Sequence, residues 1–227
     1  MLPDMRTISL GGVNCYLLGA GDGFVLIDTG LAAKRSELVR QLEAAGCAPG
    51  RLRLVILTHG DIDHAGNCAH LQATYGAPIA MHRAEAGMAE QGDMSWNRKV
   101  RPDRITAFGR VVMTIAGMMV RLSGARANVE VFSPDVFLED GQSLTAYGLD
   151  ASVVHIPGHS KGSIGILTCN GELFCGDLMM NMFRPAYHFM IDDLADFEAS
   201  LVRLKGLEVR TVYPGHGRPF PMHACPR

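Results

Sequence analysis

The sequence contains no C-x-x-C pair, no apolar run of membrane length, no surplus of basic charge and no low-complexity linker. Each absence excludes something. The six cysteines, Cys15, Cys47, Cys68, Cys169, Cys175 and Cys225, are scattered, which fits buried thiols of a reducing compartment better than a disulfide framework. A formal net charge of −2 over 227 residues gives no electrostatic reason to expect nucleic acid or an anionic membrane as partner. The opening stretch MLPDMRTISLGG lacks a basic start followed by an apolar run, so no secretory signal is expected and the cytoplasm is the default location. The most apolar segment, Ala107 to Leu122, is interrupted by Arg110 and Arg121 and falls short of the roughly 20 residues a membrane span needs. Its bulky residues, Ile105, Phe108, Val111, Val112, Ile115, Met118, Met119 and Leu122, recur at helical spacing. That spacing predicts a helix packed on the domain or, through 105–122, on a second copy in a homodimer.

What is present is an ordinary globular composition, 48% hydrophobic and 19% charged, with enough length for a sizeable core. Without a linker to divide it, the chain is expected to form a single domain over 1–227. VNCYLLGAGDGFVLIDTG reads as two strands around a Gly-rich turn, the second ending at Asp28. A helix with Leu38, Val39 and Leu42 on one face should close near Gly46. RLRLVILT and APIAMH read as buried strands. From about Arg83 to Val129 the pattern is helical and irregular, an insertion or lid over 83–129. Strands return in DVFLEDGQSL, DASVVHIPG, GSIGILT and GELFCGD. DDLADFEASLVRLKG follows as a helix capped by Asp192 or Asp193. Strands at both ends with helices between predict an α/β sandwich.

Histidines and aspartates gather where these strands end: His59, Asp61, Asp63 and His64 in HGDIDH, His159 in PGHSKGS, Asp177 in CGD and His216 in PGHG. Glycine beside most of them permits the tight turns that aim side chains into a common cleft. Four imidazoles and three carboxylates suit zinc, iron or manganese. They are too many for one tetrahedral ion and about right for two ions sharing a carboxylate.

These motifs, together with NCYLL and LIDTG, resemble the metallo-β-lactamase superfamily over nearly the whole chain. The resemblance implies a four-layer αββα sandwich of two mixed sheets with a dinuclear site at one edge. It implies that His59, Asp61 and His159 hold one ion, that Asp63, His64 and His216 hold the other, and that Asp177 bridges. Asp28 resembles the family's buried aspartate, which orients ligands without binding the metal. Asp61 departs from the family, where most members have histidine. Either one ion is lost, or the aspartate presents an oxygen where imidazole offered a nitrogen. The second is preferred, because every other ligand position is intact. The extra negative charge should lessen Lewis acidity and shift preference toward oxygen-loving ions; two divalent ions are expected, zinc first, with iron or manganese as alternatives.

Such a site implies a hydrolase in which a water or hydroxide bridging two metals attacks an ester, lactone, thioester or related small substrate, with Asp63 accepting its proton. The loop Leu178 to Phe189 should wall the pocket, with Met180, Met182, Phe183, Tyr187 and Phe189 as apolar surface and Asn181, Arg184, Tyr187 and His188 as substrate contacts. His70, His82, His155 and His223 are expected to be structural or solvated. A β-lactamase proper, a hydroxyacylglutathione hydrolase and a nuclease fit less well, for want of an export signal, a basic C-terminal extension and a basic surface. The alternative is a di-iron oxidoreductase acting on oxygen or nitric oxide with an external electron donor, since such relatives also carry a carboxylate at the position of Asp61.

Overall fold

The computed structural model of the chain describes residues 5–123 and 130–225. Its elements run, in order, β1 (Met5–Leu10), β2 (Val13–Ala20), β3 (Gly23–Ile27), α1 (Arg35–Ala44), β4 (Leu52–Ile56), α2 (Ile62–Ala65), α3 (Cys68–Tyr75), β5 (Ile79–Met81), α4 (Ala86–Gln91), β6 (Arg104–Ile105) and α5 (Ala107–Ser123). The second half comprises β7 (Val136–Phe137), β8 (Ala151–His155), β9 (Ile164–Thr168), β10 (Glu172–Asn181), β11 (Ala186–Tyr187), β12 (Met190–Ile191), α6 (Leu194–Lys205), β13 (Thr211–Gly217) and β14 (Phe220–Pro221).

Two mixed sheets form, ordered β1-β2-β3-β4-β5-β7 and β14-β13-β10-β9-β8, with β11 added to β10. The near-continuous apolar runs of β3 and β4 follow from burial on both faces. Val25 and Ile27 with Leu54 and Ile56 point toward the second sheet, where they meet Val153, Ile164, Ile166, Phe174 and Tyr213. The alternate residues Leu26, Val55 and Leu57 point outward onto Leu38 and Leu42 of α1 and Leu71 and Tyr75 of α3. On the far side, Leu173 and Cys175 of β10 pack on Phe197 and Leu204 of α6. The period-2 alternation of strand side chains thus builds three apolar layers between four structural ones, the αββα sandwich. Each fully buried Leu, Ile or Phe contributes on the order of 1.5–3 kcal/mol.

α6 starts where Asp193, rather than Asp192, accepts the Asp196 N–H at 3.0 Å, a cap worth about 1 kcal/mol. The strand expected over DVFLEDGQSL shrinks to Val136–Phe137 at the edge of the first sheet, because the chain turns at Gly141 (φ +75°) and crosses to the second sheet, which it meets at β8 through a Ser143–Ser152 bridge. Asp177 and His216 lie inside β10 and β13 rather than beyond them. The β10–β13 register slips between Phe174 and Gly176 and again before Met180, and such irregularities re-aim side chains beside functional sites.

The 83–129 segment holds α4, β6 and α5, while residues 124–129 fall outside the described ones. On α5, Phe108, Val111, Met113, Ile115 and Met118 are exposed; the side chains of Met119 and Leu122, also assigned to that apolar face, lie outside the description. β6 pairs with β12 through Met190↔Ile105 and Ile191↔Arg104. Among the described residues no helix is long and apolar enough to cross a membrane.

Candidate metal centre

β4 ends at Ile56, and Thr58 then turns the chain so that His59 points inward, 1% exposed. Asp28, at the end of β3, is the hub of this turn. Its carboxylate accepts the Thr58 N–H at 2.9 Å, the Thr58 hydroxyl at 2.9 Å and the His64 Nδ1–H at 2.9 Å. Asp28 holds φ +58°, a left-handed conformation that Asp tolerates better than most residues. With Nδ1 committed, His64 presents Nε2. His59 is oriented in the same way, Nδ1 lying 3.0 Å from the Thr58 hydroxyl.

The second sheet brings the other groups to meet them. His159 follows β8, with Nδ1 3.1 Å from the Met190 carbonyl. His216 on β13 has Nδ1 2.8 Å from the Gly12 carbonyl. β2 steers that part of β13: the Tyr16 hydroxyl donates to the Pro214 carbonyl at 2.7 Å, and Asn14 Nδ2 to the Gly217 carbonyl at 2.6 Å. Gly215 is needed for close approach, since a Cβ there would sit 2.5 Å from Asp177 Oδ1 and 2.7 Å from His64 Cε1.

Around the shared centre, Asp177 Oδ1 lies 3.4 Å from His64 Nε2, and Asp177 Oδ2 lies 3.3 Å from His216 Nε2 and 3.9 Å from both His59 and His159 Nε2. Asp61 Oδ2 lies 3.1 Å from His159 Nε2 and 3.6 Å from His59 Nε2. Asp63 Oδ2 lies 3.5 Å from His216 Nε2 and 3.9 Å from His64 Nε2. The seven residues expected from the motifs therefore converge, and Asp28 stands behind them.

An eighth joins. His188, expected among the substrate contacts, is 4% exposed, with Nε2 3.2 Å from Asp177 Oδ2. Its Nδ1 lies 3.2 Å from the Met190 carbonyl, the same oxygen that orients His159. Tyr187 does not face the centre. Side chains alternate along a strand, so its ring goes to the opposite side, edge-on to Phe197 at 5.1 Å. Asn181 donates to the Arg218 carbonyl at 3.0 Å. Arg184 is exposed and, like Asn181 and Tyr187, does not line the cavity over the centre.

Buried polar atoms test whether a metal fits. His59, His64 and His188 Nε2 and Asp177 Oδ1 are buried without a hydrogen-bond partner, an arrangement costing about 1–3 kcal/mol per neutral group unless something satisfies them. Three sets of convergent donors, His59/Asp61/His159, His59/His64/Asp177 and Asp63/His64/His216, are each compact enough for an ion, as is a fourth, His159/Asp177/His188. Nitrogen and oxygen donors without thiolate fit a divalent ion of the zinc, iron or manganese kind.

The surrounding charges keep the carboxylates of the site ionised, as a cation site requires. Burial opposes ionisation of Asp177, yet the charges of His216 and His64 outweigh it and hold the carboxyl well below its usual range. Burial likewise opposes ionisation of Asp61, but hydrogen bonds from His159 and His59 and the charges of His59 and Arg98 pull it far down. Burial depresses His188 to about 3 against the raising effect of Asp177, so the ring is neutral. His216 is lowered by burial but raised more by Asp177, reaching about 9.

Two residues outside the motifs complete the site. Glu85, fully buried, accepts the Gly60 N–H at 2.9 Å and the Gly162 N–H at 2.8 Å, clamping the loop of His59 to the loop of His159. Arg98 reaches Asp61. Above the centre opens a cavity of about 390 Å³, walled by Val13 and Leu31, by Val112 and Met113 of α5, and by Met182, Phe189 and Met190, with Asp61, Asp63, His159, Asp177, His188 and His216 at its floor. Of the apolar wall residues expected from the loop, Met182 and Phe189 line it; Phe183 is 86% exposed.

A family model described as the metallo-beta-lactamase superfamily matches residues 8–216. The chain belongs to that superfamily. It is 29% identical over 224 residues to the human acyl-coenzyme A thioesterase MBLAC2, covering 91% of this chain and 74% of the relative. It is 27% identical over 216 residues to the atrochrysone carboxyl ACP thioesterase of Aspergillus fumigatus, covering 92% of this chain and 52% of the relative. The chain thus spans between about half and three quarters of these relatives' length. Among solved structures, TTHA1623 in a di-iron-bound form is 26% identical with a TM-score of 0.68, covering 97% of this chain and 95% of that one. The superfamily, with thioesterase-named relatives, places the chain among hydrolases of metallo-β-lactamase fold.

Proposed function

We propose that the protein hydrolyses acyl thioesters with two divalent ions held by His59, Asp61, His159 and His188 on one side and Asp63, His64 and His216 on the other, Asp177 between them. The observation that carries this reading is the group of buried, unpartnered donor atoms beneath an apolar cavity. The thioesterase names of two relatives support the substrate class. The ions, zinc first with iron or manganese as alternatives, would supply Lewis acidity toward the substrate carbonyl and the attacking water.

The chain's own residues do the rest. Met113, Val112, Met182 and Phe189 take the acyl chain and exclude water around it. Asp63, half-buried at the floor of the cavity with its carboxylate beside His216, accepts the proton of the attacking water. A C–O bond forms at the carbonyl carbon, the C–S bond breaks, and the departing thiolate takes up the proton to leave an acid and a thiol.

Elemental analysis of protein purified without added metal, joined to a panel of thioester, lactone and phosphodiester substrates, tests the reading. About two ions per chain with thioesters turned over fastest is expected; less than about one ion per chain, or no preference for thioesters, would overturn it. The di-iron-bound neighbour and the carboxylate at Asp61 favour one second reading, a di-iron oxidoreductase. A charge-transfer band with oxygen uptake and no thioester cleavage would replace the first reading by this one.

A further inference from the structure

The aspartate at position 61 brings a problem of charge. Asp61, Asp63 and Asp177 put three carboxylates around one centre, one more than a histidine at position 61 would leave. The structure supplies a counter-charge from a distant part of the chain. Arg98 Nη2 lies 2.5 Å from Asp61 Oδ1, and Arg98 Nη1 donates to the His159 carbonyl at 3.0 Å. The guanidinium side chain is only 10% exposed.

The loop carrying Arg98 is held in place on both sides. Asn97, in the left-handed region at φ +54°, donates through Nδ2 to the Ala84 carbonyl at 2.8 Å. The Lys99 N–H donates to the Asp192 carboxylate at 3.1 Å. Asp192, 1% exposed, in turn donates its own N–H to the Gly158 carbonyl at 2.8 Å, next to His159. The Lys99 ammonium bridges Asp103 at 2.7 Å and Asp193 at 2.9 Å. A guanidinium so fixed is a planar fork with little freedom to leave its carboxylate.

We propose that Arg98 is a positioning residue that turns Asp61 into a neutral, single-atom metal ligand, the electrostatic equivalent of the imidazole it replaces. This rests on the metal-centre reading above. One carboxylate oxygen, Oδ1, is taken by the guanidinium, and only Oδ2 faces His59 and His159. The Arg98–Asp61 pair carries no net charge, so ions held there would meet the same total charge as with histidine at position 61 and would keep their Lewis acidity. The lowered Lewis acidity expected from Asp61 by itself does not arise while Arg98 is in place. Metal-site side chains commonly have their orientation and basicity set by such outer partners.

Arg98→Met keeps the length and removes the charge. In Arg98→Met, kcat should fall at least about tenfold with KM nearly unchanged and about two ions still bound. In the cobalt-substituted protein, the visible d–d bands should weaken as the freed Oδ1 also coordinates and the coordination number rises. In an Asp61→His background the same change should cost less than about threefold, because imidazole needs no counter-charge. Arg98→Gln, which retains donors without charge, serves if the Met variant fails to fold, and the same losses are expected of it. Unaltered kcat and cobalt spectrum in metal-loaded Arg98→Met, or an equal loss in the Asp61→His background, would overturn this proposal alone. A wild-type chain that takes up no metal would overturn the metal-centre reading first.

Discussion

The corner built from His59, His159 and His188 is sealed, each ring 4% exposed or less, whereas Asp63 and His216 stand 32% and 16% exposed at the floor of the cavity. In the sealed corner one backbone carbonyl, that of Met190, orients two imidazoles, and Arg98 restrains the carboxylate. In the open corner the rings are held by Asp28 and Gly12, and no Lys or Arg approaches Asp63 within ion-pair distance among the described residues. Rigid donors suit holding an ion, and an accessible carboxylate suits exchanging a proton with water. The contrast lies in the rings of His159 and His188 against the exposed Asp63 and His216, since His64 in the open corner is itself buried and Asp61 in the sealed one is 22% exposed.

The strongest way to break this comparison is at the open corner. Asp63→Asn should lower turnover by about 10²–10⁴ while elemental analysis still finds metal in the sealed corner; near-native turnover with metals in place would remove Asp63 from the chemistry. At the sealed corner, His188→Ala should weaken retention of one ion by about 10–100-fold in chelator competition and leave the other ion in place. Undiminished retention would return His188 to a role in packing. Glu85→Gln should act on both loops at once, lowering stability by about 1–3 kcal/mol in urea unfolding, since one glycine N–H loses its acceptor. The smallest effect is expected in the wall. Met113→Ala should raise KM for long acyl thioesters by roughly fourfold for each methylene of the substrate left in water and leave acetyl thioesters unchanged; equal changes for both would take α5 out of substrate binding.

The four ligand motifs and the αββα order are readable because metal-ligand residue types cluster at fixed spacings with apolar runs, although Asp177 and His216 lie inside β10 and β13 rather than in loops past them. Glu85, Arg98 and the inward aim of His188 are not. Glu85 sits in HRAEAG, at the start of the irregular helical segment 83–129, and nothing local says that two glycine N–H groups from elsewhere will surround it. Arg98 meets its partners 37 and 61 residues away in sequence, across an insertion without a clean periodicity. The neighbours Tyr187 and His188 read alike as substrate contacts, but residues adjacent along an extended chain point to opposite faces. The pairing of Met179 with Tyr187 settles which one looks inward, and pairing register cannot be read from a two-residue strand.

Met190 belongs to β12, and its partner across the ladder is Ile105, two residues before α5 begins. The roof over the cavity and the oxygen that aims two histidines are therefore ends of one short ribbon. A displacement of α5 would thus be passed through Ile105 to Met190, whose carbonyl lies beside the rings of His159 and His188. Swapping the insertion for another sequence to change what enters would retune the centre as well.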